Sequence, residues 1–356
     1  MKKSLLILLL GHLYAGDITY NKNKIHAFLP KTKEVQFDLY LEKINDTIDV
    51  FNIKKSELGS NSDTSLGDMD GFGIDIGYTF NDKIYLNFGY NQKDLKYSDT
   101  TLTNKNMDLY LRYQLYRDKN SAFAIDGGYS KNSADDIYIY NLSTINNRLK
   151  KMIGDNRDIT IKENSSDKYS VVYTASDGSK KTINLDNKPF VAIKDTSDSS
   201  LYTRAIYSYK NSNWLYDTYL GYSEISVSNT IDSSILHENN ADLQDRLKNV
   251  NLKRDRTDDM LVAGLGIAYQ TKDWGVEGGY QYNNLFRVKC LKKETKNHIF
   301  NLNLNYNISP KITIYGGGKL MLRQFNGEIN YLYTRYTDTT FDHKYGYADI
   351  GVIYRY

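Results

Sequence analysis

The chain has 356 residues, and its 46 Lys and Arg nearly balance 43 Asp and Glu, so the formal net charge of +3 gives no case for a nucleic-acid partner. Its single cysteine, Cys290, excludes an intramolecular disulfide. The mean hydropathy of −0.59 would suit a water-soluble protein. However, 33 Tyr and only 3 Pro favour strands that alternate apolar and polar faces, whose average hydropathy is low.

The first residues have the pattern of a secretory signal peptide. Met1-Lys2-Lys3 is followed by an apolar run that begins at Leu5 and by the small residue Ala15. The run is too short for a membrane-spanning helix, which needs roughly 20 apolar residues. We therefore predict a signal peptide over residues 1–15, with cleavage after Ala15, and a periplasmic N-terminal extension over residues 16–32.

Residues 33–356 predict a transmembrane β-barrel of twelve strands, because side chains alternate between apolar and polar along each strand. In one of them Phe300, Leu302 and Leu304 share one face, whereas Asn301 and Asn303 share the other. The predicted strands are Lys33–Asn45, Gly67–Phe80, Lys83–Asp94, Thr103–Arg117, Asn120–Ser130, Leu201–Lys210, Asn213–Val227, Thr257–Gln270, Asp273–Arg287, Thr295–Asn307, Lys311–Phe325 and Tyr345–Tyr356.

The connections between these strands alternate between short and long. Short turns such as Asn81-Asp82 and Asp118-Lys119 alternate with long segments, of which Lys131–Ser200 is the longest. Bacterial outer-membrane barrels have short periplasmic turns, longer extracellular loops and an even number of strands. The pattern predicts an all-β fold, a single closed antiparallel barrel with both termini in the periplasm. A soluble β-sandwich is the rival fold.

The last strand supports the same interpretation. Ala348, Ile350, Val352 and Tyr354 alternate with more polar residues, and the chain ends on the aromatic Tyr356. This segment resembles the C-terminal signature of bacterial outer-membrane barrels, porin-like proteins among them, although it points to no specific family. The resemblance implies the outer membrane of a Gram-negative bacterium as the location. It also implies two partners, which are outer-membrane lipids and the assembly machinery that reads the C-terminal strand.

Aromatic residues recur beside the predicted periplasmic turns and terminus, on the predicted lipid face. Rings with one apolar side and one hydrated side are typical of the membrane interface. The predicted aromatic girdle consists of Phe80, Tyr209, Trp214, Tyr269, Trp274, Tyr306 and Tyr356.

The long segment Lys131–Ser200 is predicted to be a partly structured extracellular loop. Its apolar spacing indicates a helix over Ser143–Ile153, followed by strands, with a turn at Ser176-Asp177-Gly178. A second helix is predicted over Ala241–Val250 in the next long loop. Apolar residues in the first loop must pack on one another, enter the barrel mouth or contact a partner.

No residues form a pattern that predicts an enzyme. Outer-membrane phospholipase places a His and a Ser close together on a strand, but Ile299-Phe300-Asn301 follows His298 here. The acid pair Asp258-Asp259 lies on one strand, where adjacent side chains face opposite ways. We predict no catalytic site, no metal site and no cofactor.

Charged residues at inward positions predict a hydrated lumen, because Arg or Lys facing lipid costs roughly 2–4 kcal/mol at the midplane. Inward glycines such as Gly73 and Gly264 favour an open lumen. We predict a porin-like channel for ions or small hydrophilic solutes; the alternative is a surface interaction protein that displays long loops on a filled barrel. The candidate pore-lining residues are Asp38, Asp75, Asp108, Arg112, Asp126, Arg204, Asp217, Glu277, Lys319, Arg323, Asp349 and Arg355.

Overall fold

The computed structural model describes residues 25–44, 68–97, 100–143, 145–146, 149, 158–165, 167–175, 177–248, 253, 255–287, 296–322 and 345–356. The predicted signal peptide, Cys290 and Arg323 lie outside these residues. Within them, no helix is both long enough and apolar enough to cross a membrane.

The described strands are β1 (Val35–Ile44), β2 (Met69–Thr79), β3 (Ile84–Tyr97), β4 (Thr100–Arg117), β5 (Ser121–Ala134), β6 (Ile137–Ile139), β7 (Ile159–Ser165), β8 (Lys168–Thr174), β9 (Lys180–Leu185), β10 (Val191–Asn211), β11 (Trp214–Ser233), β12 (Arg256–Gln270), β13 (Trp274–Arg287), β14 (Lys296–Ser309), β15 (Ile312–Met321) and β16 (Tyr345–Arg355). A 3₁₀ helix, Ser234–His237, and the short helix α1 (Ala241–Leu247) follow β11.

Twelve of these described strands close into an antiparallel barrel, as the sequence predicts. The first and last strands pair directly, so that Leu39 of β1 lies opposite Val352 of β16 and opposite Ile74 of β2. On the other side of the ring, β10 pairs with both β5 and β11. Closure pairs the backbone of every strand on both sides, which leaves no open sheet edge to face lipid.

The two faces of the barrel wall follow the predicted alternation. On β14, Phe300, Leu302 and Leu304 are exposed on the exterior, whereas Asn303 and Asn305 are buried on the interior. The same alternation holds on β1, where Leu39 is exposed. An apolar band around the whole exterior is the surface that lipid covers in a transmembrane barrel.

The short turns are closed by local hydrogen bonds. In the turn between β4 and β5, the Asp118 carboxylate accepts hydrogen bonds from the Tyr116 hydroxyl and from the backbone N–H groups of Asn120 and Ser121. These bonds lower the pKa of Asp118 below its ordinary value, because they stabilise the ionised carboxylate. We call this end of the barrel the short-turn end.

Several described strands are longer than predicted, and β10 and β11 extend the furthest. β10 begins at Val191 rather than at Leu201, and β11 runs to Ser233 rather than to Val227. One of the strands that the sequence predicts within the long loop, over Phe190–Lys194, is the beginning of β10, which continues after a register shift between Lys194 and Ser197. The hairpin of β10 and β11 therefore extends beyond the barrel wall at the end opposite the short turns.

This extension carries a small subdomain, which we call the loop subdomain: β6–β9, the described helical residues between β6 and β7, the outer ends of β10 and β11, the 3₁₀ helix and α1. β7, β8 and β9 form a separate three-stranded sheet, and a turn that contains Asp177 and Gly178 connects β8 to β9. Residues 142–143, 145–146 and 149 are helical, and the rest of the predicted helix lies outside the described residues.

The loop subdomain has a hydrophobic core of its own. The core includes the fully buried Leu149, Val171, Ile235 and Leu243, with Ile193 almost fully buried among them. The apolar residues of the long loop thus pack on one another and on the β10–β11 extension, the first of the three arrangements that the sequence leaves open. Such a core keeps the loop ordered, because it removes apolar surface from water.

Candidate functional site in the barrel lumen

The interior of the barrel contains a polar cavity of about 370 Å³. Its wall includes Asp38, Asp75, Lys93, Arg204 and Lys319, which come from five different strands. Cavities of roughly 300–1,000 Å³ are typical of small-molecule sites in proteins. The lumen therefore has room for a small hydrated solute.

One wall of this cavity is built around two arginines that share one carboxylate. Arg112 Nη2 lies 2.7 Å from Asp126 Oδ2, and Arg204 Nε lies 2.9 Å from Asp126 Oδ1. The strand register brings them together, since Asp126 of β5 is opposite Arg112 of β4 and opposite Arg204 of β10. Two positive charges around one negative charge leave this trio with a net positive charge. We call this side of the lumen the basic wall.

A carboxylate and a tyrosine adjoin the basic wall. The Tyr202 hydroxyl donates to both oxygens of Asp108, at 3.1 and 3.2 Å. The Arg204 guanidinium lies over the Tyr202 ring, 4.8 Å from its centroid. Cation–π and charge-assisted hydrogen bonds of this kind fix the direction in which the arginine points.

Acidic residues predominate on the part of the lumen formed by β1 and β2, which we call the acidic wall. Asp38 and Asp75 are cross-strand partners, and the Tyr315 hydroxyl donates to both oxygens of Asp38, at 2.9 and 3.1 Å. Near them, Lys93 Nζ lies 3.3 Å from Glu42 Oε2. In the strand order, β1 is five places from β10 and β2 is two places from β4, so the two walls occupy different parts of the lumen.

At two interior glycines that the sequence interprets as open space, Gly73 and Gly264, a tyrosine ring occupies the room that the missing side chain leaves. A Cβ atom at Gly73 would lie 2.2 Å from Cζ of Tyr40, and one at Gly264 would lie 2.0 Å from Cζ of Tyr219. In both cases the tyrosine and the glycine are cross-strand partners. The expectation of open space is therefore wrong at these positions, because aromatic rings from neighbouring strands lie across them.

The predicted pore-lining residues that the structure describes all lie on the interior face of the barrel. Asp38, Asp75, Asp108, Arg112, Arg204 and Lys319 contribute to the cavity wall. Asp126 is paired with two of these residues, Arg112 and Arg204. Asp217, Glu277, Asp349 and Arg355 lie on interior positions outside the cavity lining; for example, Asp217 accepts a hydrogen bond from Ser208, and Arg355 donates to Thr313. Whether these residues line a conducting pore stays a prediction.

Several interior tyrosines and one lysine line the cavity but are not among the predicted pore-lining residues. Tyr40, Tyr85, Tyr110 and Tyr202 line the cavity beside the predicted charges, and so does Lys93. They occupy inward positions of strands whose register was predicted, so their alternation with the apolar exterior residues could have identified them.

The N-terminal segment also lies in the lumen. Residues 16–32 are predicted as a periplasmic extension, but His26, Ala27, Phe28 and Leu29 are buried inside the barrel at the short-turn end. Ile25, Ala27 and Phe28 contact apolar residues of the barrel interior. The bounds of the predicted extension stay a prediction. Residues 16–24 lie outside the described residues.

The predicted aromatic girdle lies on the exterior near the short-turn end. Trp214 and Tyr269 are cross-strand partners with ring centroids 4.9 Å apart, and Tyr269 lies 5.6 Å from Trp274. Trp274 in turn pairs with Tyr306. The other predicted members, Phe80, Tyr209 and Tyr356, are exposed near the same end.

The one strand histidine that the sequence singles out is His298, and it lies on the exterior face. Its Nδ1 is 2.8 Å from the Tyr280 hydroxyl, and its ring lies beside the rings of Tyr280 and Tyr282. The hydroxyl that contacts His298 is therefore that of Tyr280, whereas the phospholipase pattern has a serine beside its histidine. Among the described residues, no group of three or more His, Cys, Asp or Glu side chains could hold a metal ion.

No protein-family model matches the chain, and no curated protein matches it. Solved structures of outer-membrane barrels do match. The translocator domain of the autotransporter NalP from Neisseria meningitidis has 7% identity and a TM-score of 0.43, covering 92% of this chain and 90% of that chain. The CymD monoaromatic hydrocarbon channel has 9% identity and a TM-score of 0.44, covering 91% and 89%. Outer membrane phospholipase A from Escherichia coli has 14% identity and a TM-score of 0.35, covering 92% and 94%.

Proposed function

We propose that this protein is a porin-like channel in the outer membrane of a Gram-negative bacterium, through which ions or small hydrophilic solutes diffuse passively. The observation that carries the proposal is the polar cavity inside a closed barrel, between an acidic wall and a basic wall. A passive channel takes its driving force from the solute gradient. Its selectivity comes from the width and the charges of its lumen. Catalysis is not part of this proposal.

The outer-membrane location is supported by the exterior of the barrel. The apolar band, represented by Leu39 and Leu302, and the girdle around Trp214 and Trp274 fit a lipid environment with one interface at the short turns. The short-turn end would then face the periplasm and the loop subdomain the cell exterior. Lipids of the outer membrane are the partners that this exterior would contact.

The assembly machinery of the outer membrane is a further proposed partner, which would read the strand that ends at Tyr356. Deletion of Tyr356 should lower the amount of folded barrel in the membrane, whereas Tyr356→Phe should keep it, because the aromatic ring is retained. Heat-modifiable mobility on gels measures the folded fraction. Equal folded amounts for both variants would argue against recognition of the terminal ring.

The channel is tested by its ion selectivity. In planar bilayers the protein should give discrete conductance steps, and a salt gradient should give a reversal potential set by the lumenal charges. Asp75→Asn removes a charge from the acidic wall and should shift the reversal potential toward anions. Asp70→Asn is the matched control, because Asp70 lies on the same strand but on the exterior, where it pairs with Lys43. Equal effects of the two substitutions would contradict a path along the acidic wall.

Surface display is the second candidate function, and the ordered loop subdomain favours it. A disordered loop would not bury a core that includes Leu149, Val171 and Ile235. Its surface is also held by polar contacts to one carboxylate: Lys194 and His237 both contact Asp232, at 2.7 and 2.8 Å. Burial alone would raise the pKa of Asp232, but these hydrogen bonds outweigh it and keep that pKa below its ordinary value.

The two candidates differ in one observable. If neither the protein nor any of its variants conducts in planar bilayers, the channel proposal is refuted. Display of the loop subdomain is then the function that the structure supports. Conductance whose selectivity follows Asp75 supports the channel instead.

A further inference from the structure

The lumen wall near the short-turn end is apolar where a water-filled barrel would be polar. Ala122 and Ala124 of β5, Ile206 of β10, Leu215 of β11 and Ala268 of β12 all lie on the interior face, and each is at most 6% exposed. Apolar surface that faces water costs free energy in proportion to its area. This surface is therefore expected to have a permanent cover.

The cover is the chain's own N-terminal segment. Ala27 and Phe28 pack against these apolar wall residues, with Ile25 at the margin of the same cluster. Phe28 is only 3% exposed, and the Arg117 guanidinium lies over its ring at 5.7 Å. The fit depends on small wall residues, because the alanines at positions 122, 124 and 268 leave room for a peptide backbone to approach.

The backbone of the segment is matched by polar groups of the wall. Arg112 Nη1 donates to the carbonyl oxygen of His26 at 2.6 Å, and Gln114 Nε2 donates to that of Ala27 at 2.6 Å. The Ala27 N–H donates to Ser208 Oγ at 2.7 Å. Buried backbone groups need such partners, since leaving them unsatisfied is costly. The wall supplies donors and an acceptor in an arrangement that suits an extended peptide.

We propose that this wall, formed by β4, β5, β10, β11 and β12, is a binding site for residues 25–30 of the same chain, which form a plug that narrows the periplasmic end of the proposed channel. The plug adjoins the cavity, because Ile25 belongs to the cavity lining. Arg112 thus makes two contacts: it pairs with Asp126 in the basic wall, and it donates to the carbonyl oxygen of His26 in the plug. The plug connects to β1 at Lys33, whose backbone N–H donates to the carbonyl of Thr79.

The test is the chemical accessibility of a thiol placed under the plug. In a Cys290→Ser background, Ser208→Cys places a thiol at the buried contact with Ala27. A charged methanethiosulfonate reagent is added to the folded protein in detergent, where it can enter the barrel from both ends. The variant is made in the full chain, in a chain lacking residues 17–29, and in a matched control lacking residues 17–24, which keeps the plug.

The plug predicts slow labelling of Ser208→Cys in the full chain and in the control deletion. In the chain lacking residues 17–29, labelling of Ser208→Cys should be about tenfold faster or more than in the full chain. This is the factor that corresponds to the loss of one net hydrogen bond. Ser130→Cys, on the cavity side of β5, should label at similar rates in all three chains. Fast labelling of Ser208→Cys in the full chain, or slow labelling in all three while Ser130→Cys reacts, would overturn the proposal.

A second variant keeps the test decisive if the longer deletion does not fold. Ala27→Cys combined with Ser208→Cys in the full chain should form a disulfide on mild oxidation, seen as loss of both free thiols. Two thiols that stay free would overturn docking of the segment. Labelling reports on the plug without any conductance, so a protected Ser208→Cys in a protein that never conducts would leave the plug standing and refute the channel.

Discussion

Arginine at an exterior position should destabilise the barrel far more than arginine at an interior position of similar depth. Leu265 lies on the exterior of β12 and is 60% exposed in the isolated protein, so in the membrane its side chain faces lipid. Gln281 lines the cavity on β13 and is opposite Gly264, the neighbour of Leu265. Leu265→Arg and Gln281→Arg therefore add the same charge to opposite faces of the wall.

The expected difference follows from the solvent on each side. Arginine near the bilayer midplane costs roughly 2–4 kcal/mol, whereas water in the lumen can solvate a charge. Because about 1.4 kcal/mol corresponds to a factor of ten, the folding equilibrium constant should fall about 30- to 900-fold for Leu265→Arg. It should change by less than about tenfold for Gln281→Arg, which loses the hydrogen bond from Tyr219.

The assay is reversible unfolding by denaturant in lipid vesicles, with heat-modifiable mobility as the measure of folded barrel. Equal losses of stability for the two variants would refute the assignment of exterior and interior faces at this level of the barrel. A larger loss for Gln281→Arg would show that the cavity is too dry to solvate a charge.

Two further predictions follow from the packing and the topology. Gly73→Ala should lower the free energy of unfolding by roughly 1–3 kcal/mol, because the added Cβ would meet the Tyr40 ring. Gly127→Ala is the control and should cost less, because the nearest atom to its Cβ would be 3.7 Å away. Denaturant unfolding compares the two variants, and equal costs would contradict the ring contact. An epitope tag beside Lys180, in the loop subdomain, should bind antibody on intact cells, whereas a tag at Asp118-Lys119 should bind only after the outer membrane is permeabilised. The reverse pattern would invert the barrel.

The barrel itself was predictable because its signal is local and repeated. A strand with one face in lipid and one face in a polar lumen alternates with period two, and β14 shows this in the exposed Leu302 and the buried Asn303. On the last strand one inward position, Ile353, is apolar and breaks the alternation. It has a structural reason, because Ile353 is fully buried against the rings of Tyr40 and Tyr315. Alternation identifies the face of a residue, but not the neighbour that covers it.

Contacts between distant segments were not predictable from the same pattern. The tyrosine rings over Gly73 and Gly264 depend on cross-strand register, which becomes fixed only when the barrel closes. The N-terminal segment contacts Ser208, 181 residues away in the chain. The apolar inward residues Ala124 and Leu215 were a usable signal, since a water-filled lumen offers no reason for them.

The central claim is that solutes pass through the lumen of this barrel, and solute entry into liposomes tests it most directly. Liposomes that contain the chain lacking residues 17–29 should swell in an isotonic monosaccharide, and more slowly in a bulky oligosaccharide, because the cavity is only about 370 Å³. Liposomes with the full chain should swell more slowly in both, since the plug narrows one end. No swelling with any solute, for either chain in its folded form, would contradict the claim.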